Sequence, residues 1–399
     1  MGTERHGTVI IGAGQAGLAT GQRLARFGRE FVVLDGNDRI GDNWRSHWDS
    51  LRLYSPARYD GLPGMRFPAD GWSFPGKDQV ADFLEEYADR FRLPVRTGSR
   101  VRRLSAAPGG DDGVRGDGNG GGGGGGRGFL VGTDAGPLLA DTVVVATGTF
   151  GRGPHVPAFA GKLDPRIRQL HSSAYRNEAQ LQDGPVLVVG ASHSGADVAL
   201  EVSGRHRTVL CGRDTGQIPF RLEARSTRLV IPVLWQLADH VLTTGNPLGR
   251  RLRPEVRAHG GPLLRVRAAD LAAAGVERVP ERMTGVRDGM PVLADGRVVE
   301  ATNVVWCTGF RQDFGWIDLP AFGADGWPEE QRGVCRAVPG LYFVGLAFQR
   351  AFSSMLVGGA GRDADVVARH IAGQERHGLH GLHGFGRHAH RDGRVTASV

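Results

Sequence analysis

The sequence predicts an α/β fold with two doubly wound, Rossmann-like dinucleotide-binding domains. A short β-branched strand, a glycine-rich turn and a helix follow one another near the start of the chain and again in the middle. Each unit continues into a second strand, and this order is typical of the opening of a parallel sheet. Two later apolar strands, at residues 142–148 and 303–309, both end in Thr-Gly, which agrees with the presence of two such units.

The first unit carries the fingerprint GxGxxG between its strand and its helix. Gly12 permits the tight turn, Gly14 lets backbone approach a pyrophosphate, and Gly17 lets helix and strand pack closely. The free N–H groups of the helix start suit the phosphates. Asp35, at the end of the next strand, is placed to accept hydrogen bonds from a ribose. A turn without a ligand is the alternative interpretation.

The second unit differs at two positions. Ser192 replaces the middle glycine between Gly190 and Gly195, where it still admits a phosphate and adds a hydroxyl donor. No acid ends the next strand; Arg213 lies there instead, and a guanidinium suits a 2′-phosphate by charge and bidentate geometry. The pattern predicts NADPH at this turn. A solvated surface Arg213 is the alternative, and Asp214 keeps NADH open.

Composition excludes several other classes. The chain of 399 residues has a net charge of +7, but its arginines are scattered among acids, so we expect no nucleic-acid partner. The cysteines (Cys211, Cys307 and Cys335) are widely spaced without CxxC, which argues against a disulfide scaffold, a dithiol centre and a metal site. No apolar run reaches about 18 residues; the longest, 229–242, contains Asp239. We therefore expect a cytoplasmic protein without a leader peptide or membrane partner.

Two segments are expected to lack structure. Residues 109–128 form a flexible glycine-rich loop, because poly-glycine buries too little apolar area to offset its chain entropy. Residues 373–399 are rich in Gly, His and Arg, and we expect a disordered tail. A helix is predicted before that tail, from Ser353 to Ile371, with its first N–H groups aimed at a ligand.

The ordered motifs resemble the flavin-containing monooxygenases, in the bacterial and YUCCA-like branch of the family. Gly-Asp-Asn-Trp-Arg at residues 41–45 is similar to the family's GGxWR. The residues Phe159, Gly161 and His171 to Tyr175 resemble the family's FxGxxxHxxx[FY], with a longer spacing before the histidine. The resemblance covers residues 9–371.

The resemblance implies an FAD-binding domain at residues 1–155 and 300–372, interrupted by an NADPH-binding domain at residues 156–299. Within the latter, the partly helical segment 219–287 is expected to cover the active site. NADPH would reduce FAD, O2 would add to it, and the C4a-(hydro)peroxide would oxygenate a small organic molecule. The expected FAD contacts are Gly12, Gly14, Gln15, Ala16, Gly17, Asp35, Trp44, Arg45, Val101, Thr147, Gly148, Gly345, Gln349 and Ser354. The expected NADPH contacts are Gly190, Ser192, His193, Ser194, Gly195 and Arg213.

One departure from the family concerns catalysis. Many members place an Asn beside the flavin, and the counterpart here is Ser55, which becomes the catalytic candidate. His171 is interpreted as a domain-linking residue, with a role as a base left open. An NADPH-dependent reductase or oxidase without oxygen transfer, and a nucleotide sensor, stay as alternatives. The sequence does not identify the substrate, and it does not decide whether the chain forms a homodimer.

Overall fold

The computed structural model describes residues 3–108, 128–148 and 153–382. Its first strands are β1 (Glu4–Ile11), β2 (Val32–Leu34), β3 (Val95–Arg96), β4 (Val101–Ala106), β5 (Phe129–Thr133), β6 (Gly136–Val145) and β7 (Gly153–Pro154). The middle strands are β8 (Arg168–His171), β9 (Val186–Val189), β10 (Thr208–Cys211), β11 (Glu277–Val279), β12 (Met283–Arg287), β13 (Met290–Leu293) and β14 (Asn303–Trp306). The last are β15 (Phe310–Arg311), β16 (Ile317–Asp318), β17 (Glu330–Gln331), β18 (Val334–Cys335) and β19 (Leu341–Phe343).

Helices cover these strands. They are α1 (Gln15–Arg26), α2 (Asp42–Arg45), α3 (Lys77–Arg90), α4 (His193–Val202), α5 (Thr227–Gln236), α6 (Pro247–Ala258), α7 (Ala268–Ala273) and α8 (Ala360–Leu382). A π-helical turn, Leu237–Val241, continues α5. Among the residues just described, no helix has both the length and the apolar character needed to cross a membrane.

The first sheet is built around β1, which lies parallel to β2 on one side and to β6 on the other. The strand order is β16-β4-β5-β6-β1-β2-β3, and β19 pairs with the end of β6. Successive residues of β1 point to opposite faces, so Ile10 packs into the core with α1 and α8 while Val9 and Ile11 pack into the opposite core. Both faces are covered, which explains why the strand is a continuous apolar run.

The second sheet is entirely parallel, in the order β11-β10-β9-β14-β8. In β9, Val186 and Val188 enter one core, and Leu187 and Val189 enter the other. The predicted α/β class with two Rossmann-like units is therefore confirmed.

The expected domain boundary at residue 300 is wrong for one strand. β14 (Asn303–Trp306) pairs with β8 and β9, so it belongs to the second sheet and not to the first. A buried Val-Val-Trp run fits either sheet, because both faces of each sheet are covered; the chain therefore returns to the first sheet only after Trp306.

The C-terminal helix also differs from expectation. The chain forms two 3-10 turns, Phe352–Met355 and Val357–Gly359, and α8 begins at Ala360 instead of Ser353. The helix then continues to Leu382, so the expected lack of structure from residue 373 is wrong up to that point. Residues 383–399 of the expected tail and residues 109–127 of the expected glycine-rich loop lie outside the described residues.

Candidate functional site

The first glycine-rich turn joins β1 to α1 and has the geometry of a phosphate cradle. Gly12 adopts φ +109°, and its N–H donates to the Leu34 carbonyl at 2.7 Å. A Cβ on Gly17 would overlap the carbonyl oxygen of Gly12, so glycine there is required by packing. A Cβ on Gly14 would meet no atom within 4 Å. The space above Gly14 is therefore free for a ligand at the helix N-terminus, where backbone N–H groups suit phosphate.

Asp35 follows β2 and is held in place by the turn itself. One carboxylate oxygen accepts from the Ala13 N–H at 2.7 Å, and the other accepts from the N–H and side-chain amide of Asn37, both at 2.8 Å. A carboxylate has about four acceptor positions, so one remains for a ribose hydroxyl. The Asp35 carbonyl accepts from Ser99 at 2.7 Å, which brings the start of β4 and Val101 to this end of the cradle.

Two strand ends meet the same turn. Ala146 follows β6 and donates to the Ile11 carbonyl at 2.8 Å, which places Thr147 beside Gly12, with Gly148 next in the chain. Gly345 follows β19 with φ +86°, and a Cβ there would approach the side chain of Ala16 to 2.8 Å. The fold thus brings together at one turn residues that lie far apart in the sequence.

The second turn repeats the construction between β9 and α4. Gly190 adopts φ +109° and donates to the Cys211 carbonyl at 2.9 Å, and a Cβ on Gly195 would overlap the Gly190 carbonyl oxygen.

This second turn is covered, unlike the first: the Ser192 hydroxyl donates to the Gly261 carbonyl at 2.8 Å, and a Cβ on Gly260 would approach the Ser192 Cβ to 2.8 Å. Residues 259–262, here called the covering loop, must shift before a phosphate reaches Ser192 and the N–H groups of His193 and Ser194.

Arg213 lies just past β10 and is exposed. No hydrogen bond or ion pair is formed by its guanidinium with any part of the chain that the structure describes. Arg278 of the neighbouring strand β11 holds the preceding backbone by donating to the carbonyls of Leu210 at 3.2 Å and Gly212 at 2.7 Å. Arg213 therefore presents to solvent a guanidinium without a partner among the described residues, from a turn whose backbone Arg278 holds.

A half-buried polar cluster joins the two units. The Tyr54 hydroxyl donates to the Asp197 carboxylate of α4 at 2.7 Å, and the Tyr54 ring meets the His193 ring edge-on at 5.1 Å. Arg265 donates to the Leu53 carbonyl at 2.7 Å and lies over the Tyr54 ring. Burial raises the pKa of Asp197 and lowers the pKa of His193. The segment before Ser55 is thus held by the second unit.

Trp44 and Arg45 lie on the short helix α2. The Trp44 ring packs against a core of each unit. Arg45 donates to the Ile40 carbonyl at 2.7 Å and pairs with Asp82 at 2.8 Å and Glu85 at 3.2 Å. In this arrangement Arg45 organises the loop before α2, and its expected contact with FAD stays a prediction.

Gln349 and Ser354 are buried, and their side chains are used by neighbouring backbone. Gln349 donates to the Phe343 carbonyl at 2.5 Å, and the Ser354 hydroxyl accepts from the N–H groups of Arg350 and Ala351, both at 3.1 Å. These side chains shape the segment after β19 near Gly345. Because α8 begins at Ala360, the free helical N–H groups lie at 360–362 instead of at Ser353.

Ser55, the catalytic candidate, is paired. Its hydroxyl donates to one carboxylate oxygen of Asp60 at 2.6 Å. Asp60 is 0% exposed, and its other carboxylate oxygen has no partner among residues 3–108, 128–148 and 153–382. Burial raises the pKa of Asp60 to about 7, and the Ser55 hydrogen bond opposes that rise. The pair can hold or release a proton near neutral pH.

A cavity of about 520 Å³ lies between residues 58–66, α5 with its π-helical turn, and the start of α8; neither Ser55 nor Asp60 lines it. The Tyr59 and Trp235 rings stack at 4.7 Å in its wall. Arg58, Arg66 and Arg362 also line it, and of these Arg362 is paired with Asp239 at 2.7 Å. The cavity therefore offers aromatic surface together with positive charge.

Sequence reasoning missed Asp60, the Tyr54–Asp197 pair and the covering loop. Asp60 precedes Gly61 in a turn-like stretch, and no local pattern signals that its carboxylate is buried. Asp197 does carry a signal: it lies one helical turn after His193, on the same face of α4.

Comparison with known proteins agrees with this geometry. Residues 9–112 and 124–239 match the family model described as pyridine nucleotide-disulphide oxidoreductase. The oxidoreductase CzcO-like of Geobacillus kaustophilus is 35% identical over 91% of this chain and 97% of its own. The probable indole-3-pyruvate monooxygenase YUCCA7 of Arabidopsis thaliana is 28% identical over 92% of this chain and 88% of its own. The structure of a flavin-containing monooxygenase from Stenotrophomonas maltophilia superposes with a TM-score of 0.69 at 27% identity, covering 93% of this chain and 99% of that one.

Proposed function

The chain belongs to the pyridine nucleotide-disulphide oxidoreductases, among their flavin-containing monooxygenases, and from this premise we propose that it uses FAD, NADPH and O2 to oxygenate a small organic molecule. One observation carries the proposal: the two glycine-rich turns have the same construction, but the strand after each is followed by a residue of opposite charge. Asp35 at the first suits the free ribose of FAD, and Arg213 at the second suits the 2′-phosphate of NADPH.

The fit to FAD rests on the free space at the first turn. The α1 N-terminus would receive the pyrophosphate over Gly14, and Asp35 would take a ribose hydroxyl on its remaining acceptor position. Thr147, Gly148 and Gly345 would line the same nucleotide. When bound, FAD supplies the redox chemistry, passing electrons from NADPH to oxygen.

The chain's own part is to position groups and to exclude water. The Tyr54–Asp197 pair would keep the two nucleotide sites in a fixed relation, since it joins the segment before Ser55 to α4. Asp60, with a pKa of about 7, would be protonated in part of the molecules at neutral pH. In the protonated form its O–H could donate to the Ser55 oxygen, which would release the Ser55 hydroxyl to donate to another acceptor; in the ionised form the Ser55 hydroxyl donates to Asp60.

The cavity supports a first substrate class. Stacked aromatic rings together with Arg58 and Arg66 suit an acid with a flat apolar body. The plant relatives are named for indole-3-pyruvate, which has this chemistry. We therefore propose an aromatic 2-oxo acid as the first compound to test, beside a thioether, an amine and a cyclic ketone.

The test is the fate of isotopically labelled O2. The FAD-loaded protein is given NADPH, labelled O2 and each compound, and we expect one labelled oxygen in the product for each NADPH oxidised. NADPH oxidation that yields only hydrogen peroxide with every compound would contradict oxygen transfer.

One observation favours the second candidate, an NADPH-dependent oxidase. The Ser55 hydroxyl donates its proton to Asp60, so in this arrangement it has none to donate elsewhere. Peroxide release without any labelled product would establish this alternative.

A further inference from the structure

Helix α5 and the π-helical turn after it expose an apolar face to solvent. Leu229 is 80% exposed and Val233 is 67% exposed, which is rare for large aliphatic side chains at helical spacing. We call this face the apolar ridge; its residues are Leu229, Val230, Val233, Leu234, Leu237 and Val241. Leu248, at the start of α6, extends it. Elsewhere in the described part of the chain, the exposed large hydrophobic side chains are isolated: Phe27, Val156 and Val298.

The other side of the same helix is firmly packed, so the ridge is not the result of a loosely held helix. Ile231 is buried, and Trp235 stacks on Tyr59 at 4.7 Å. The buried Asp239 carboxylate accepts from the Ser353 hydroxyl at 2.7 Å and pairs with Arg362 at 2.7 Å. The orientation of the ridge toward solvent is therefore fixed by the body of the protein.

Positive charge borders the ridge. Arg225, Arg228, Arg250 and Arg251 are all exposed, and none pairs with a carboxylate anywhere in the three described ranges. The neighbouring acids are already used: Glu223 lies 3.7 Å from Arg265, Glu255 lies 2.9 Å from His259, and Asp239 is buried. The border therefore holds four arginines that pair with no carboxylate among the described residues, whereas the two exposed acids nearby, Glu223 and Glu255, lie against other partners.

We infer that the apolar ridge lies on the surface of a lipid bilayer that contains anionic phospholipids. A helix with one aliphatic face and arginines at its edges inserts that face to the depth of the acyl boundary while the guanidinium groups meet phosphates. A second copy of the chain is a poorer partner, because two-fold pairing of the ridges would bring the arginine borders together. This inference departs from the sequence prediction of no membrane partner. That prediction was drawn from the lack of a long apolar run, which a helix bound to the membrane surface does not need.

The test is binding of the full-length, FAD-loaded protein to vesicles of phosphatidylcholine alone or with about one-third phosphatidylglycerol. We expect sedimentation with the anionic vesicles only, and loss of binding at high salt. The double variant Leu229→Ser/Val233→Ser should lower the partition coefficient at least about tenfold, because it removes two side chains from the acyl boundary. The matched control, Val156→Ser/Val298→Ser, removes exposed aliphatic side chains of the same kind away from the ridge and should bind as the wild type does.

A second pair of substitutions tests the charge. Arg250→Ser/Arg251→Ser should weaken binding to anionic vesicles by about fivefold for each arginine. Circular dichroism and flavin content verify that each variant folds. The inference is overturned if the wild type binds neither vesicle, if it binds both equally at high salt, or if the ridge variant binds unchanged. Light scattering that shows a dimer abolished by the ridge variant, without vesicle binding, would assign the ridge to a second copy instead.

Discussion

Substitution of Gly14 by Ala should separate cofactor binding from folding, because the described protein leaves room for a side chain at Gly14 and only the proposed ligand would not. Gly14 is the N-cap of α1 with φ −78° and ψ −177°, which is extended backbone that alanine adopts freely. Its added methyl group would meet no protein atom within 4 Å. Gly17 is the opposite case, since a Cβ there overlaps the Gly12 carbonyl oxygen.

The expected magnitudes differ for the two properties. Replacing an N-cap glycine by alanine costs about 0.5 kcal/mol, which lowers Tm by about 2 °C or less. A methyl group forced against a pyrophosphate oxygen costs about 1–3 kcal/mol of binding, a loss of about 5- to 150-fold in FAD affinity. At a free FAD concentration about 100 times the wild-type Kd, FAD stabilises the wild type by about 2.7 kcal/mol. A variant with 100-fold weaker binding retains about 0.4 kcal/mol.

The assay is thermal unfolding of FAD-stripped protein with and without added FAD, together with a flavin fluorescence titration. Gly161→Ala is the matched control, because a Cβ at Gly161 also meets nothing within 4 Å and this residue belongs to the 3-10 turn Ala158–Lys162, outside both glycine-rich turns. We expect Gly14→Ala to keep the wild-type Tm without FAD and to lose most of the FAD-induced rise. Unchanged FAD affinity in Gly14→Ala, or an equal loss in Gly161→Ala, would refute the assignment of the cradle.

Three further predictions concern the other sites. Arg213→Ala should weaken NADPH binding by about 10- to 100-fold and leave NADH nearly unchanged in a binding titration, because only NADPH carries the 2′-phosphate; equal losses would mean that Arg213 serves packing. The pKa of Asp60 is raised to about 7, so the folded protein keeps a proton that the unfolded chain releases near pH 4. The free energy of unfolding should therefore fall as pH rises from about 4 to about 7, and Asp60→Asn should remove on the order of 4 kcal/mol of that fall in urea titrations, whereas an unchanged slope would place the titration elsewhere. Ser55→Asn should lower the hydrogen peroxide released per NADPH without substrate, since an amide can donate to both Asp60 and a second acceptor; a ratio equal to the wild type would favour the oxidase.

The two turns could be predicted from the sequence because their requirements are local. Positive φ at Gly12 and Gly190, and the close approach of Gly17 and Gly195 to the preceding strand ends, arise within six residues of chain. Glycine is almost the only residue that meets both demands. The spacing of the glycines in the sequence is therefore enough to predict the geometry of each turn.

Strand and helix limits that depend on distant contacts were not predictable in the same way. β14 joins the second sheet through its pairing with β8, which lies far from it in the sequence. Helix α8 begins later in the chain than predicted, because Gly358 packs against the Tyr59 carbonyl and Gly359 against the Ser353 carbonyl. The chain before α8 forms two short 3-10 turns instead of a helix. Helix propensity alone would let the helix begin as early as Ser353.

Helix α5 and the π-helical turn after it join features that the sequence presents separately. Asp239, which as a lone acid argued against a membrane span, is the buried carboxylate that ties this turn to Ser353 and Arg362. Two backbone bonds strengthen the tie, from Thr244 to the Arg350 carbonyl at 2.8 Å and from Phe352 to the Leu242 carbonyl at 2.9 Å. The apolar ridge, the cavity wall and the chain between β19 and α8 therefore form one connected body. Asp239→Asn, which removes the negative charge that faces Arg350 and Arg362, should therefore lower the Tm in thermal unfolding. An unchanged Tm would show that the two backbone bonds alone hold the ridge in place.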